Sequence, residues 1–325
     1  MIYGGSHIAV GIVEKGKILA KIENKINEID KSNITKIIEQ TILENIIKLA
    51  SQVLETEQNI ENKKIESIGI AVPGTVNEIS ICKCVNLGIK DYNISQRLNQ
   101  IFRNYVETNN NYGLFERLPI KVNLQNDAKC AAIAENEYGV LKEYSNSIFL
   151  TLGTGIGGAA IINNQLLKGS EVSGYEFGHL IIDKAGLDCN CGKKGCFELY
   201  GSMKKLKKDL KQNLELSELT TSRQLVELLK NDKALNKNDE RIREVIEEFT
   251  ESLSIGISNL INIFEPEIVG IGGSFVFFEE FLLEKLKEKI LSGNLLFNKR
   301  DDIIVKSAIL QNDAGIIGAS MLWVE

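Results

Sequence analysis

The densest chemistry in this chain lies between residues 176 and 198. They read Glu176-Phe177-Gly178-His179 and, after a short interval, Cys189-Asn190-Cys191-Gly192-Lys193-Lys194-Gly195-Cys196-Phe197-Glu198. The protein has 2 histidines and 6 cysteines, and one histidine and three cysteines fall within 18 residues here. Thiolate and imidazole suit zinc, and four such ligands close a tetrahedral structural site. The spacing C-x-C-x₄-C beside a histidine therefore makes His179, Cys189, Cys191 and Cys196 candidate zinc ligands. The plainer reading is a loop with incidental cysteines. A disulfide would need an oxidising compartment, of which the sequence gives no sign. Glu176 and Glu198 flank the ligands, so a metal-pinned loop would hold both carboxylates still. Fixed in this way they can accept hydrogen bonds from the hydroxyls of a polar ligand, although each alone also reads as a solvated surface residue.

A second kind of chemistry is suggested by glycines. Leu152-Gly153-Thr154-Gly155-Ile156-Gly157-Gly158 reads as strand, turn and strand. Glycines there leave backbone N–H groups to face an anion, and Thr154 adds a hydroxyl donor. Gly4-Gly5-Ser6 offers the same, and Ile271-Gly272-Gly273-Ser274 follows one expected strand and opens a helix. None is a P-loop or a Rossmann fingerprint, and singly each is an ordinary tight turn. Three in one chain point to phosphate. Asn126-Asp127, opening an alanine-rich helix, supply a candidate base. At a helix N-terminus the dipole favours the carboxylate form of Asp127. Phosphoryl transfer is loose enough that the attacking hydroxyl loses its proton late, so a positioned carboxylate suffices. Simple helix capping is the alternative.

These residues need elements to carry them. Residues 8–13 and 17–22 pattern as a strand pair turning at Glu14-Lys15-Gly16, and Ile34, Ile37, Ile38, Ile42, Ile46 and Leu49 form a helical stripe. Strands are expected at 67–72, ending in Pro73-Gly74, and at 79–85, 118–124, 147–152, 158–162, 267–271 and 302–305. Helices are expected at 94–105, from 128, through much of 203–264, at 274–291 and at 313–323. Within 203–264 the stripe is Ile246, Phe249, Leu253, Ile257, Leu260 and Phe264. Alternation of this kind implies an α/β architecture. A strand pair beside a glycine turn occurs twice, which hints at two related halves.

Length and charge set bounds. A chain of 325 residues suggests two domains. Lys+Arg of 38 against Asp+Glu of 44 gives −6, and no basic block appears, so nucleic acid is not expected as a partner. Met1-Ile2-Tyr3-Gly4-Gly5 lacks the basic and apolar regions of a signal peptide. The charge-free stretch 145–167 is too rich in Gly, Asn and Gln for a membrane span. A cytoplasmic protein with reduced thiols, and no membrane partner, is the expectation. Cys82, Cys84 and Cys130 read as small buried thiols, and His7 as a surface or ligand-edge residue.

In combination these segments resemble the ROK family of bacterial sugar kinases and sugar-responsive repressors. The matches run in family order: Gly4-Gly5-Ser6, Val72-Pro73-Gly74, Asn126-Asp127-Ala128, the 153–158 loop, Glu176-Phe177-Gly178-His179, the three-cysteine cluster with Glu198, Gly272-Gly273-Ser274 and Asn312-Asp313-Ala314-Gly315. The pairing of E-x-G-H with C-x-C-G-x-x-G-C-x-E is the specific part. The resemblance implies a two-domain actin/hexokinase/Hsp70-like (ribonuclease H-like) fold, with 1–124 plus 312–325 as one domain and 125–311, carrying the zinc loop, as the other. It implies Asp127 as general base for a sugar hydroxyl, normally at C6, and Asn86, Asn126, Glu176, His179 and Glu198 as sugar contacts. ATP phosphates would lie between Gly4-Gly5-Ser6 and Thr154-Gly155-Ile156-Gly157-Gly158, and Gly272 and Gly273 near the adenosine. ATP, Mg²⁺ and a structural Zn²⁺ are the implied cofactors, a small-molecule sugar the substrate and a homodimer the assembly.

One position departs from the family. The first turn usually reads D-x-G-G-T, whereas here Ile2 takes the acidic place and Ser6 that of Thr. The loss leaves the metal and phosphates one carboxylate short. Two functions therefore stand: a hexose or N-acylhexosamine kinase, and a catalytically impaired sugar sensor. A repressor of the family would carry a helix-turn-helix ahead of the first strand. This chain opens on that strand, so DNA binding is not expected.

Overall fold

The computed structural model describes residues 2–4, 7–25, 33–56, 64–85, 87–110, 113–170, 174–234, 239–292 and 303–323. Contacts sort the chain into two units, Met1–Tyr138 with Lys168–Gly174 and Asn312–Glu325, and Gly139–Leu167 with Tyr175–Gln311.

In the first unit β1 (Ile2–Gly4), β2 (His7–Glu14) and β3 (Lys17–Lys25) form an antiparallel meander, followed by α1 (Ile34–Thr56) and β4 (Ser67–Val72). A small sheet of β5 (Thr75–Val76), β6 (Ile81–Cys84) and β7 (Ile89–Tyr92) comes next, then α2 (Ile94–Asn109), β8 (Lys121–Asn126) and α3 (Asp127–Tyr138). The main sheet runs β3-β2-β1-β4-β8, with β1, β4 and β8 parallel. The expected stripe of α1 builds the core: Ile34, Ile38, Ile42, Ile46 and Leu49 are buried and Ile37 half-buried, the helix packing on β2, β3 and α2 in a cluster that takes in Ile8 and Val10 of β2 and Ile68, Ile70 and Val72 of β4. Two strands are displaced from the pattern for local reasons. Asn77 Oδ1 accepts from the Ile79 and Ser80 amides at 3.1 and 2.7 Å, making a turn that delays β6 to Ile81. Pro119 has no N–H for a ladder, and β8 starts after it.

The second unit contains β9 (Ser147–Leu152), β10 (Ile156–Ile162) and β11 (Gln165–Leu166), then α4 (Glu198–Gly201), α5 (Met203–Asn213), α6 (Ser222–Ala234) and α7 (Glu240–Phe264). β12 (Ile268–Gly273), α8 (Glu279–Ser292) and β13 (Ile304–Ser307) complete it. Its sheet order, β11-β10-β9-β12-β13, repeats the first, again with an antiparallel meander and three parallel strands. The two related halves hinted at by the glycine turns are thus present in the topology. On α7 the expected stripe is buried except for its last member, Phe264, which is half-buried. The helix expected from 274 opens as a 3-10 turn, Ser274–Phe278, before α8 begins.

The first unit is closed by α9 (Ala314–Ser320), which packs on α3 and β4. Alanines and glycines make that approach possible: a Cβ on Gly318 would stand 1.7 Å from the Cys130 carbonyl oxygen, and one on Gly69 1.7 Å from that of Ala319. The obstacle in each case is backbone, which cannot swing aside. Gly318→Ala is expected to cost about 3 kcal/mol and to lower the thermal midpoint by roughly 5–10 °C, measured by scanning calorimetry. Among the described residues no helix is long and apolar enough to cross a membrane.

Candidate functional site

The loop between β11 and α4 folds back on itself through its glycines. Ile181 bridges Cys196, and Asp188 bridges Lys194. The Cys189 amide donates to the Lys193 carbonyl at 2.8 Å, and the Gly192 amide to the Cys189 carbonyl at 2.9 Å. Gly192 and Gly195 hold φ of +89° and +71°, conformations that glycine adopts without strain. A Cβ on Gly195 would stand 1.6 Å from the Asp183 carbonyl oxygen, so that turn needs glycine twice over.

This folding brings the four expected ligands together. His179, Cys189, Cys191 and Cys196 each present one ligand atom, all within 4.8 Å of one another. Cys189 Sγ lies 3.7 Å from His179 Nδ1, and Cys191 Sγ lies 3.5 Å from Cys196 Sγ. Bonds of 2.0–2.3 Å in a tetrahedron give ligand–ligand edges of roughly 3.5–3.8 Å, so the donor set fits zinc. The cysteines are free thiols. Burial pushes the Cys196 thiol up to about 12, whereas the Lys193 backbone N–H beside exposed Cys191 lowers that one. A bound dication would hold both as thiolates.

The loop in turn sets Glu176 and Glu198. Glu176 precedes a 3-10 turn, Phe177–His179, its carbonyl accepting from the His179 amide at 3.0 Å. Gly178 is pressed on β10, where a Cβ would stand 2.3 Å from the Ile156 carbonyl oxygen. Glu198 opens α4 directly after Cys196-Phe197. Phe197 is a positioning residue that the sequence reading missed. It is fully buried, and Cβ atoms on Gly201 and Gly256 would come within 2.6 and 2.3 Å of its ring. A usable signal existed: Gly256 sits mid-way along the stripe of a 25-residue helix, where only close packing justifies glycine.

Of the 153–158 stretch, the structure makes only 153–155 a turn. Ile156, Gly157 and Gly158 already belong to β10, paired with Leu152, Thr151 and Leu150. The Gly153 amide donates to the Gly155 carbonyl at 2.9 Å, and the Lys204 amide of α5 donates to the Gly153 carbonyl at 3.1 Å. Thr154 is exposed at the tip. A Cβ on Gly155 would stand 2.5 Å from Glu198 Oε2, which puts that carboxylate against the turn. Gly272 and Gly273 end β12 beside β9, with Gly273 at φ +74°.

Asn126 and Asp127 lie in the first unit, at the end of β8 and the start of α3. Asn126 Oδ1 accepts from the Ala128 and Lys129 amides at 3.0 and 3.3 Å, and its Nδ2 donates to the Gly74 carbonyl at 3.2 Å. Asparagine has two amide hydrogens, so capping leaves one for a ligand. Asp127 Oδ1 accepts from the Ala128 amide at 2.9 Å. Gly4 ends β1, while Gly5, Ser6 and Asn86 lie outside the described residues. Ile2 pairs with Ala9 and Ala71 in the sheet. His7 is exposed, Cys84 and Cys130 are buried and Cys82 is half-buried.

The sequence matches known proteins along its length. The model of the ROK family matches residues 2–325. A glucokinase of Thermotoga maritima is 28% identical over 330 residues, 99% of this chain and 95% of that protein. A xylose repressor of Caldicellulosiruptor bescii is 32% identical over 240 residues, 70% of this chain and 55% of the repressor. The crystal structure of a ROK family glucokinase from Streptomyces griseus in complex with glucose and AMPPNP superposes with a TM-score of 0.72 at 23% identity, covering 99% of this chain and 97% of that one. The fold is therefore the actin/hexokinase-like fold of ROK sugar kinases. A match over residues 2–325 takes in both repeated sheets, and the chain belongs to the ROK family.

Proposed function

We propose that the chain is an ATP-dependent sugar kinase that phosphorylates a hydroxyl, expected to be O6, of a hexose or N-acylhexosamine. One observation carries this reading: the Glu198 carboxylate, fixed by the four-ligand loop, lies against the 153–155 turn within a single unit. An acceptor for hydroxyls and a cradle for phosphate are thereby neighbours. The glucokinase relative, similar over nearly its whole length, supports the same reading.

Glu176, His179 and Glu198 would take the sugar hydroxyls, with Asn126 adding its remaining amide hydrogen and Asn86 joining them. Asp127 would accept the proton of the attacking hydroxyl as its oxygen bonds to the γ-phosphorus and the bridging bond to ADP breaks. Thr154 and Gly155, with the Gly4-Gly5-Ser6 turn, would hold the phosphates, and Gly272 and Gly273 would border the adenosine. Zinc on His179, Cys189, Cys191 and Cys196 would brace the sugar-binding carboxylates and take no part in the transfer. Magnesium would accompany ATP, with no carboxylate supplied by Ile2. The proposed domains are 1–124 with 312–325, and 125–311. In the contacts of the structure, α3 groups with the first unit through its packing on α9.

The test is sugar-dependent ADP release with Mg·ATP across a panel of hexoses and N-acetylhexosamines. Turnover selective for one sugar is expected. A second reading, a sugar-binding regulator, draws on the xylose repressor relative and on Ile2. Saturable sugar binding without ADP release would establish that reading and end the first.

A further inference from the structure

The first unit carries a cleft at the start of β8, away from the motifs described above. Along this strand Val122 and Leu124 are buried in the core, so Lys121 and Asn123 share the opposite face. Asn123 Nδ2 donates to the Leu322 carbonyl at 3.1 Å and pins the turn that follows α9. Trp323 consequently falls beside Lys121, whose Nζ stands 5.6 Å from the centre of the indole ring. Asn99 of α2 reaches the same strand, its amide hydrogens going to the Ser95 and Ile120 carbonyls, both at 3.0 Å. The space these groups enclose is about 630 Å³, a size suited to a small molecule, and Ile79, Pro119 and Lys168 also line it. Among the described residues, none of those assigned above to sugar, nucleotide or zinc takes part.

Charge and unpaired polar atoms define the occupant. Among the described residues no carboxylate, imidazole, thiol or guanidinium lines the cleft, and neither Lys121 nor Lys168 has an ion-pair partner. In a chain of net charge −6, two unopposed cations on one cleft call for an anion. A phosphate monoester, close to a dianion at neutral pH, matches two charges better than a single carboxylate does. Lysine also grips phosphate as a point charge, whereas the planar carboxylate suits the fork of arginine. Asn99 Oδ1 and Trp323 Nε1 are buried without hydrogen-bond partners, a costly state. Both amide hydrogens of Asn99 are spent, so its oxygen can only accept, and a ligand hydroxyl would supply the donor. The indole N–H would donate to the anion. We propose that this cleft is a binding site for a small polyol phosphate monoester, the class that includes sugar phosphates. Without a carboxylate, imidazole or thiol in its described lining, the site holds its ligand and does not convert it. It is independent of the kinase reading, with which it shares no described residue.

Trp323 is the only tryptophan of the chain, so its fluorescence reports on the cleft directly. Glucose 6-phosphate and N-acetylglucosamine 6-phosphate are titrated into the full chain, with calorimetry alongside to register any complex that leaves the fluorescence unchanged. A saturable response to at least one ester, complete at millimolar concentration or below, is expected. Inorganic phosphate and gluconate should bind at least about tenfold more weakly, the first for want of hydroxyls and the second for want of charge. Lys121→Gln and Lys168→Gln should each weaken the ester by roughly tenfold. Both side chains are exposed, so the thermal midpoint should stay in place. Glu198→Gln, altered in the sugar site of the proposed kinase, is expected to keep the full response. No binding of either ester by both methods overturns the proposal. So does binding that survives both lysine variants and disappears in Glu198→Gln, which would place the ester in the sugar site, or a preference for gluconate.

Discussion

Asp127→Asn is expected to bind sugar almost as wild type does and to lose roughly 10²–10⁴-fold in kcat, the span that a positioned general base contributes. The expectation is specific because the structural part of the residue survives the change. Asp127 Oδ1 accepts from the Ala128 amide at 2.9 Å, and the asparagine oxygen can accept the same bond. What disappears is the capacity to take a proton. The thermal midpoint should therefore be retained while ADP release collapses, with KM for sugar little altered. A variant within tenfold of wild-type kcat would leave Asp127 as a helix cap and nothing more. Equal losses in sugar affinity and turnover would assign it to binding rather than to proton transfer.

Removing the metal should have the second large effect. Metal analysis of the purified protein is expected to find zinc in proportion to chain, and prolonged chelation or Cys196→Ser to release it. Cys196 is fully buried and adjoins Phe197, whose ring fills the groove left by Gly201 and Gly256. Loss of the ion would thus loosen the backbone immediately before Glu198. If the site contributes about 4 kcal/mol, the thermal midpoint falls by roughly 10 °C, and sugar affinity falls with it as Glu198 loses its fixed position. Acid should act in the same direction, since protons compete with the ion for three thiolates and an imidazole. Protein that arrives without zinc and yet binds and turns over sugar would dismiss the bracing role.

Much of this arrangement was legible in the residue pattern, for reasons particular to each place. Ligand identity and spacing located the cluster because cysteine is scarce and the C-x-C turn brings its thiols together locally, with Gly192 and Gly195 shaping the return. The stripes of α1 and α7 were legible because helical spacing is a direct record of burial. Two strand starts were misread where a side chain or a proline intervened: Asn77 bonded the amides of Ile79 and Ser80, and Pro119 held back β8. Ile156 and Gly157 read as turn because glycine is a turn former, yet β10 starts at Ile156, two residues before the strand expected from 158. There a Cβ on Gly158 would come within 2.6 Å of Phe177. The contact between Gly155 and Glu198 could not be read at all. It joins residues 43 positions apart, and only tertiary packing brings them together.

The seal that α9 makes on the first unit has a consequence for how the protein is made. Synthesis runs from the N-terminus, and the surfaces that α9 covers, on β4 and α3, leave the ribosome before residue 139. Their cover, Ala314–Ser320, emerges only after every strand of the second sheet. The unit that begins first is therefore the one that finishes last. Until then the faces of β4 and α3 that meet α9 lack that cover, and incompletely packed surface of this kind is what makes partly synthesised chains prone to aggregate.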